Sequence, residues 1–170
     1  MLMMFWQVQR LTREINYMQR QIMEKHNELS NYQKYSGRLG GSDNFNIANI
    51  AGLPSFLIPR ATLFAQYSNQ ASSMSAMQNL QMMKMSGMVP WTGNALSQYQ
   101  LEMSAFARFK QESLKALKQQ EANVLNEKEK EIQLEITELQ ARLDMKKQML
   151  QNCKQELKEE VQNSAPTFGL

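Results

Sequence analysis

Apolar residues near the start of the chain recur at alternating intervals of four and three positions. This spacing is typical of a helix that packs along one apolar stripe, as in a coiled coil. It predicts a helix over about residues 4–35, within an N-terminal heptad segment 1–36 that ends before Gly37. Lys25 occupies the one position of the stripe that lacks an apolar side chain. The predicted interaction seam of this helix consists of Val8, Leu11, Ile15, Met18, Ile22 and Leu29.

The second half of the chain predicts one long helix over residues 95–162. No glycine or proline occurs between Gly93 and Pro166, and good helix formers predominate. The cleanest heptads lie in residues 131–160, where only Lys146 interrupts the apolar pattern, and this stretch is predicted to form a coiled coil. Its predicted interaction seam consists of Ile132, Ile136, Leu139, Leu143, Leu150 and Leu157.

Two stretches of this half interrupt the pattern. Residues 118–131 contain few large apolar side chains and end in a run of alternating Glu and Lys, which predicts a register shift or a flexible point. The tail, residues 163–170, contains Pro166 and Gly169, which disfavour helix. We expect it to be flexible or to serve as a short docking peptide.

The segment 37–60 combines glycines and two prolines with a high content of large apolar residues. Such a mixture cannot form one regular element, so it predicts a structured apolar loop. An apolar loop of this length must be covered by the protein's own helices, by a partner or by a membrane, and the sequence leaves these alternatives open. The candidate partner-binding residues of the loop are Ile50, Leu53, Phe56, Leu57 and Ile58.

Residues 61–94 predict a methionine-rich helix, beginning near Arg60 and ending near Ser86, followed by a turn at Gly87 and Pro90. Methionine thioethers are soft ligands that can hold reduced copper. No Cys or His accompanies these methionines, which favours the alternative that they form an adaptable apolar surface. The sequence therefore predicts no cofactor and no metal site.

Together these elements predict an all-α protein, an elongated antiparallel helical bundle or coiled coil with one long C-terminal helix and an apolar loop interrupted by Gly and Pro. The two seams can pair with each other or with those of identical chains. Because a thin bundle buries little surface, we expect a homo-oligomer or binding to other helical proteins.

Charge and hydropathy narrow the possible partners and compartments. The net charge of +3 is spread without a strong basic field, so nucleic-acid binding is not predicted. The longest apolar run, residues 47–58, is too short and too interrupted to span a membrane. The apolar start of the chain lacks the pattern of a Sec signal peptide, which favours a cytoplasmic protein or one exported by another route.

The chain offers little catalytic chemistry. It has one histidine, His26, one cysteine, Cys153, and two aspartates, Asp43 and Asp144. This inventory supports neither a Cys–His nucleophile pair nor a zinc site, so we expect no catalytic residue and no enzyme. Cys153 falls on the C-terminal seam, where a small apolar side chain is its simplest role.

The sequence is most consistent with a non-enzymatic structural, assembly or adaptor protein that acts through protein–protein interaction. Helical ends that pair around a variable middle resemble the axial and export-apparatus proteins of bacterial flagellar and type III secretion systems. This resemblance is one of architecture, with no diagnostic motif, and it implies an exported or export-associated protein as an alternative. A second alternative is a membrane-contacting oligomer that inserts residues 47–64.

Overall fold

A computed structural model describes residues 2–41, 45 and 47–164 of the chain. The described residues form four helices and no strand, which confirms the all-α prediction, and the last helix is the longest at 70 residues. Asp43 and residues 165–170 of the predicted flexible tail lie outside the described residues. The helices are α1 (Leu2–Gly40), α2 (Ile47–Ile50), α3 (Ile58–Met85) and α4 (Ala95–Ser164).

The chain divides into two compact units, and α1 and α4 each contribute to both. The terminal unit consists of residues 1–30 and 129–170, and the central unit consists of residues 31–128. The start of α1 and the end of α4 therefore belong to the terminal unit. The end of α1, all of α2 and α3, and the start of α4 belong to the central unit.

In the terminal unit the two helical segments run in opposite directions. Two ion pairs between them establish this, because Glu14 contacts Lys146 at 2.5 Å and Lys25 contacts Glu135 at 2.7 Å. Residues later in α1 therefore contact residues earlier in α4. The side chains buried in this unit come from both segments and are Leu11, Ile15, Ile22, Leu29, Ile132, Ile136 and Leu143.

The core of the central unit is built around the connection between α1 and α3. Phe45 lies in its interior, with its ring centroid 5.9 Å from that of Tyr35 and 5.8 Å from that of Phe64. Leu125 of α4 is fully buried in the same cluster. The remaining buried members of this core are Leu39, Ile50, Leu53, Leu57, Ala61 and Ala65.

Helix α1 continues through Gly37 to Gly40, whereas the sequence predicts its end before Gly37. Tertiary contacts explain the difference, because Leu39 is almost fully buried in the central core. In addition, the Arg38 guanidinium donates hydrogen bonds to the carbonyl oxygens of Asn49, at 3.2 Å, and Ala51, at 2.5 Å. These contacts offset the roughly 1 kcal/mol that a glycine costs within a helix.

The turn after α3 is fixed by backbone hydrogen bonds. Gly87 adopts a left-handed conformation (φ +69°), its amide donates to the Lys84 carbonyl, and the Met88 amide donates to the Met83 carbonyl at 3.1 Å. This is a Schellman cap, which favours glycine at its left-handed position. On the other side of the turn, the Asn94 side chain caps α4 by accepting a hydrogen bond from the Leu96 amide.

Helix α3 runs antiparallel to the first half of α4 within the central unit. The Arg60 guanidinium near the start of α3 contacts the Glu121 carboxylate at 2.7 Å. Near the end of α3, Lys84 forms an ion pair with Glu102, which lies close to the start of α4. The two helices therefore form a helical hairpin, closed by the turn at residues 86–94.

Candidate interaction surfaces

The predicted seam residues of both helices lie in the terminal unit, where the two seams face each other. Ile15 and Ile22 of α1 form a buried cluster with Leu143 of α4. Met18, Leu139 and Leu150 pack against this cluster and are half-buried, as are Val8 and Leu157 towards the helix ends. The chain thus uses its regular seams for an internal contact.

Both lysines that interrupt the predicted seams form ion pairs with the opposite helix. Lys25 contacts Glu135 and also Glu28, one turn further along its own helix. The hydrogen bond to Glu135 and that to Glu28 raise the pKa of Lys25. The hydrogen bond from Lys146, followed by that from Arg10, lowers the pKa of Glu14. The charges of both lysines are therefore balanced within the unit.

The apolar loop is largely covered by the protein's own core. Ile50, Leu53 and Leu57 are buried in the central unit, and only 2% of the surface of Leu57 is exposed. Of the five predicted partner-binding residues, Phe56 and Ile58 remain exposed, at 51% and 40%. Three of the five residues therefore pack against the chain that carries them, and partner binding by the loop stays a prediction.

A polar cluster crosses the central unit beside this core. The Tyr35 hydroxyl donates to one Glu121 carboxylate oxygen at 3.2 Å, and Arg60 donates to both oxygens, at 2.7 Å and 3.2 Å. Burial, reinforced by the nearby Glu121 charge, raises the pKa of Tyr35. Because each group is engaged by the others, the arrangement anchors α1, α3 and α4 together and leaves no free acid or base.

The buried residues of α3, on the side that faces into the central unit, are all small, and Phe64 packs beside them against the core. The small residues recur at intervals of three and four, as in a packed helix face, and such small side chains allow a neighbouring helix to approach closely. The regular spacing of these small residues is visible in the sequence, but a search for periodic large apolar residues does not detect it. The buried residues of α3 are Ala61, Ala65, Ser68, Ser72 and Ala76.

The opposite side of α3 carries large apolar residues that face solvent. Leu63 and Tyr67 are exposed over 66% and 63% of their surfaces, and Met74 and Met77 are also mostly exposed. Gln70 lies between Tyr67 and Met74, Gln81 follows Met77, and both side chains are exposed. We call this face the outer stripe, and it consists of Leu63, Tyr67, Gln70, Met74, Met77, Gln81 and Lys84.

The end of the hairpin adds a second exposed apolar area. Met85 and Trp91 are exposed over 89% and 74% of their surfaces. We call this area the hairpin end, and its exposed residues are Met82, Met85, Met88, Trp91, Leu96 and Tyr99.

Charge is almost absent from the closed end of the hairpin, residues 61–107. Between Arg60 and Arg108 the only charged residues are Lys84 and Glu102, and they form an ion pair with each other. The outer stripe and the hairpin end thus form an apolar surface bordered by Gln, Asn and Ser, with its two charges mutually neutralised.

Comparison with known proteins finds no matching family model, no matching curated protein and no matching solved structure. Within the described part of the chain, no three His, Cys, Asp or Glu side chains come together as a group that could hold a metal ion. None of the helices among the same residues combines the length and the apolar character needed to cross a membrane.

Proposed function

We propose that this protein is a non-enzymatic helical assembly or adaptor protein that binds other protein chains through the hairpin of α3 and α4. The observation that carries the proposal is the exposure of large apolar residues along the outer stripe and at the hairpin end. Contiguous exposed apolar surface is unfavourable in water and is typical of protein–protein or membrane contact sites.

The composition of this surface favours a protein partner. Trp, Tyr and Met are enriched at protein interfaces, and Trp and Tyr supply a large share of binding energy. Unbranched methionine side chains adapt to differently shaped partners. The outer stripe and the hairpin end contain Lys84 as their one cation, which disfavours an anionic membrane surface, since such a surface usually attracts Lys and Arg next to apolar groups.

The terminal unit supports the same function as a packed helical element. Its alternating buried positions, its opposed helix directions and its ion pairs across the seam support an antiparallel coiled coil. Since its seams pack within the chain, it does not require a partner to bury them. These seams are therefore occupied within the chain, and we assign contact with other chains to the hairpin.

Insertion of residues 47–64 into a membrane is the weaker alternative. Three of the apolar side chains that insertion would need, those of Ile50, Leu53 and Leu57, are buried in the protein core. Withdrawing them would expose that core. We therefore assign the partner contact to the hairpin surface rather than to the loop.

Site-specific photo-crosslinking in the native cells tests the proposed function. A photoreactive aromatic residue placed at Trp91 or Tyr99 is expected to form covalent adducts with protein, identified by mass spectrometry. The matched control is the same residue placed at Tyr17, which is similarly exposed but belongs to the terminal unit. Adducts from the hairpin positions no more abundant than those from Tyr17 would contradict the proposal.

A further inference from the structure

The outer stripe of α3 has the spacing of a coiled-coil seam. Its residues, at positions 63, 67, 70, 74, 77, 81 and 84, alternate intervals of four and three without interruption. The stripe residues are all exposed, and Lys84 at its end contacts Glu102 of α4, so the apolar part of this seam is left uncovered by the described residues. A seam of this kind fits a second helix that lies along it.

The charge of the hairpin admits an identical chain as that second helix. A surface with a net charge of one sign repels its own copy across a two-fold axis. At the closed end of the hairpin, which includes the outer stripe, Lys84 and Glu102 balance each other and no further charge occurs between Arg60 and Arg108. Two copies therefore meet without electrostatic repulsion, and the surface presents no charge pattern that would select a different partner.

The four central residues of the stripe are self-complementary in order, and beyond them Tyr67 falls opposite Lys84. Around a midpoint between Met74 and Met77, the methionines mirror each other, and so do Gln70 and Gln81. In an isologous interface, a residue at one position contacts a second position of the other copy and the reverse contact repeats it, so such a stripe pairs well when apolar positions meet apolar ones and polar positions meet polar ones. In an antiparallel pair, Met74 faces Met77 of the second copy and Gln70 faces its Gln81.

The paired glutamines suit this arrangement chemically. Each amide carries donors and an acceptor, so two facing amides can satisfy each other at a contact that excludes water. A polar pair at one level of an apolar seam also fixes register, because shifting the helices leaves each amide against apolar side chains. Gln70 and Gln81 would thus specify both the direction and the alignment of the two copies.

We propose that the outer stripe of α3 is the contact between two copies of this chain, paired as antiparallel helices about a two-fold axis between Met74 and Met77. The proposal rests on the proposed function and specifies one of its partners. It assigns Gln70 and Gln81 as the residues that set the register of the dimer.

Cysteine crosslinking of the full-length chain tests the direction of pairing. Two variants, Gln70→Cys and Gln81→Cys, are prepared with Cys153→Ser so that each has a single thiol. Under mild oxidation, an equal mixture of the two is expected to form covalent dimers, and each variant alone is expected to form far fewer. Covalent dimers from each variant alone, with no increase in the mixture, would show parallel pairing and overturn the proposal.

Charge substitution tests whether this face holds the dimer. Gln70→Lys with Gln81→Lys places like charges opposite each other at both levels, so the mass from light scattering should fall to that of one chain. Mixing this variant with one carrying Gln70→Glu and Gln81→Glu should restore a two-chain species. The matched control is Gln140→Lys with Gln151→Lys, two exposed glutamines at the same spacing in the terminal unit, which should leave the mass unchanged.

The outcomes separate this proposal from the proposed function. A multi-chain protein that keeps its mass in the Gln70→Lys, Gln81→Lys variant overturns the α3 dimer and leaves the assembly function standing on another face. A wild-type protein that stays monomeric at all accessible concentrations also overturns the dimer. In that case, adducts from Trp91 or Tyr99 would still support the assembly function. Their absence would contradict both the assembly function and the α3 dimer.

Discussion

Helices with a similar heptad spacing are oriented differently in the two units. In the terminal unit, large apolar residues such as Ile15 and Leu143 face inward and charged residues pair across the seam. In α3, small residues such as Ala65 and Ser68 face inward, and large ones such as Met74 face solvent. A heptad pattern therefore identifies a surface suited to a helix, but it does not reveal whether the chain itself provides that helix.

The composition of the two kinds of seam explains the difference. The terminal seams consist mainly of Leu and Ile, whose burial contributes roughly 1.5–3 kcal/mol for each side chain. The outer stripe has Gln or Lys at three of its seven positions, so its burial within one chain would gain less. The buried residues of α3 are alanine and serine instead, and these small side chains allow a neighbouring helix to pack closely.

Proline in the terminal unit should give the largest effect. Leu139→Pro removes a backbone hydrogen bond and clashes with the preceding turn, at about 3 kcal/mol or more, and it also disrupts the seam. We expect a lower helical signal in circular dichroism and loss of the part of the thermal transition that belongs to the terminal unit.

The matched control for this substitution lies in the same helix. Ala95→Pro introduces proline at the first position of α4, where the amide has no helical partner and proline is favoured. It should leave the melting temperature close to that of the wild type. If Leu139→Pro behaved like Ala95→Pro, residues 131–160 would not form a packed helix.

Adjacent residues of the apolar loop should differ sharply in the central unit. Leu57→Ala removes a buried side chain from the core and should lower the free energy of unfolding by about 2–4 kcal/mol. Phe56→Ala removes a half-exposed ring whose centroid lies 6.1 Å from that of Tyr32, so its effect should be about 1 kcal/mol or less. Urea titration measures both, and equal effects would mean that the loop is not divided into a buried and an exposed side.

Leu57 and Phe56 mark a limit of what the sequence pattern predicts. Regular spacing and the absence of Gly and Pro predicted the all-α fold and the long α4. The burial of Leu57 beside the exposure of Phe56 depends on contacts with α1 and α4, which local patterns do not encode. The same holds for α1 beyond Gly37, where Arg38 and distant carbonyl groups outweigh the helix propensity of glycine.

For a related reason, the sequence does not predict which side of α3 faces solvent. Its methionines predict an adaptable apolar surface, but the apolar face is the packed side in most amphipathic helices. The stripe of alanine and serine at the same period was the signal that this side faces outward. The proposed dimer contact through that side leaves one trace in the sequence, the mirrored order of Gln70 and Gln81.

Apolar replacement of the lysines should make the terminal seams more stable. Lys25→Leu and Lys146→Leu each remove an ion pair between partly exposed side chains, which contributes at most about 1 kcal/mol. Each also buries a leucine in the seam, so we expect a net gain of about 1 kcal/mol in the free energy of unfolding. The control Lys147→Leu alters an exposed neighbour and should change stability by less than about 0.5 kcal/mol. A loss of stability in both seam variants would show that the ion pairs outweigh apolar burial.

The smallest expected effect concerns Glu129, where the terminal unit begins. One carboxylate oxygen of Glu129 is buried and accepts no hydrogen bond among the described residues. Burial raises the pKa of Glu129 above its ordinary value of 4.5. The ionised form is therefore less favourable in the folded chain than in the unfolded chain. Glu129→Gln removes this charge, and because the side chain is only partly buried, we expect a gain of about 0.5–1 kcal/mol at pH 7.

The sign of its pH dependence makes this prediction specific. Because its pKa is raised, Glu129 takes up a proton at a higher pH in the folded chain than in the unfolded chain. Between the folded pKa and 4.5, the folded chain therefore binds more protons than the unfolded chain. The wild type therefore gains stability relative to the Gln variant in that interval, and the advantage of Glu129→Gln should disappear below about pH 4. Glu127→Gln, at an exposed position two residues earlier, should show no such crossover. Thermal denaturation at pH 7 and at pH 4 measures the difference, and a gain that persists at the lower pH would show that it comes from packing rather than from removal of the buried charge.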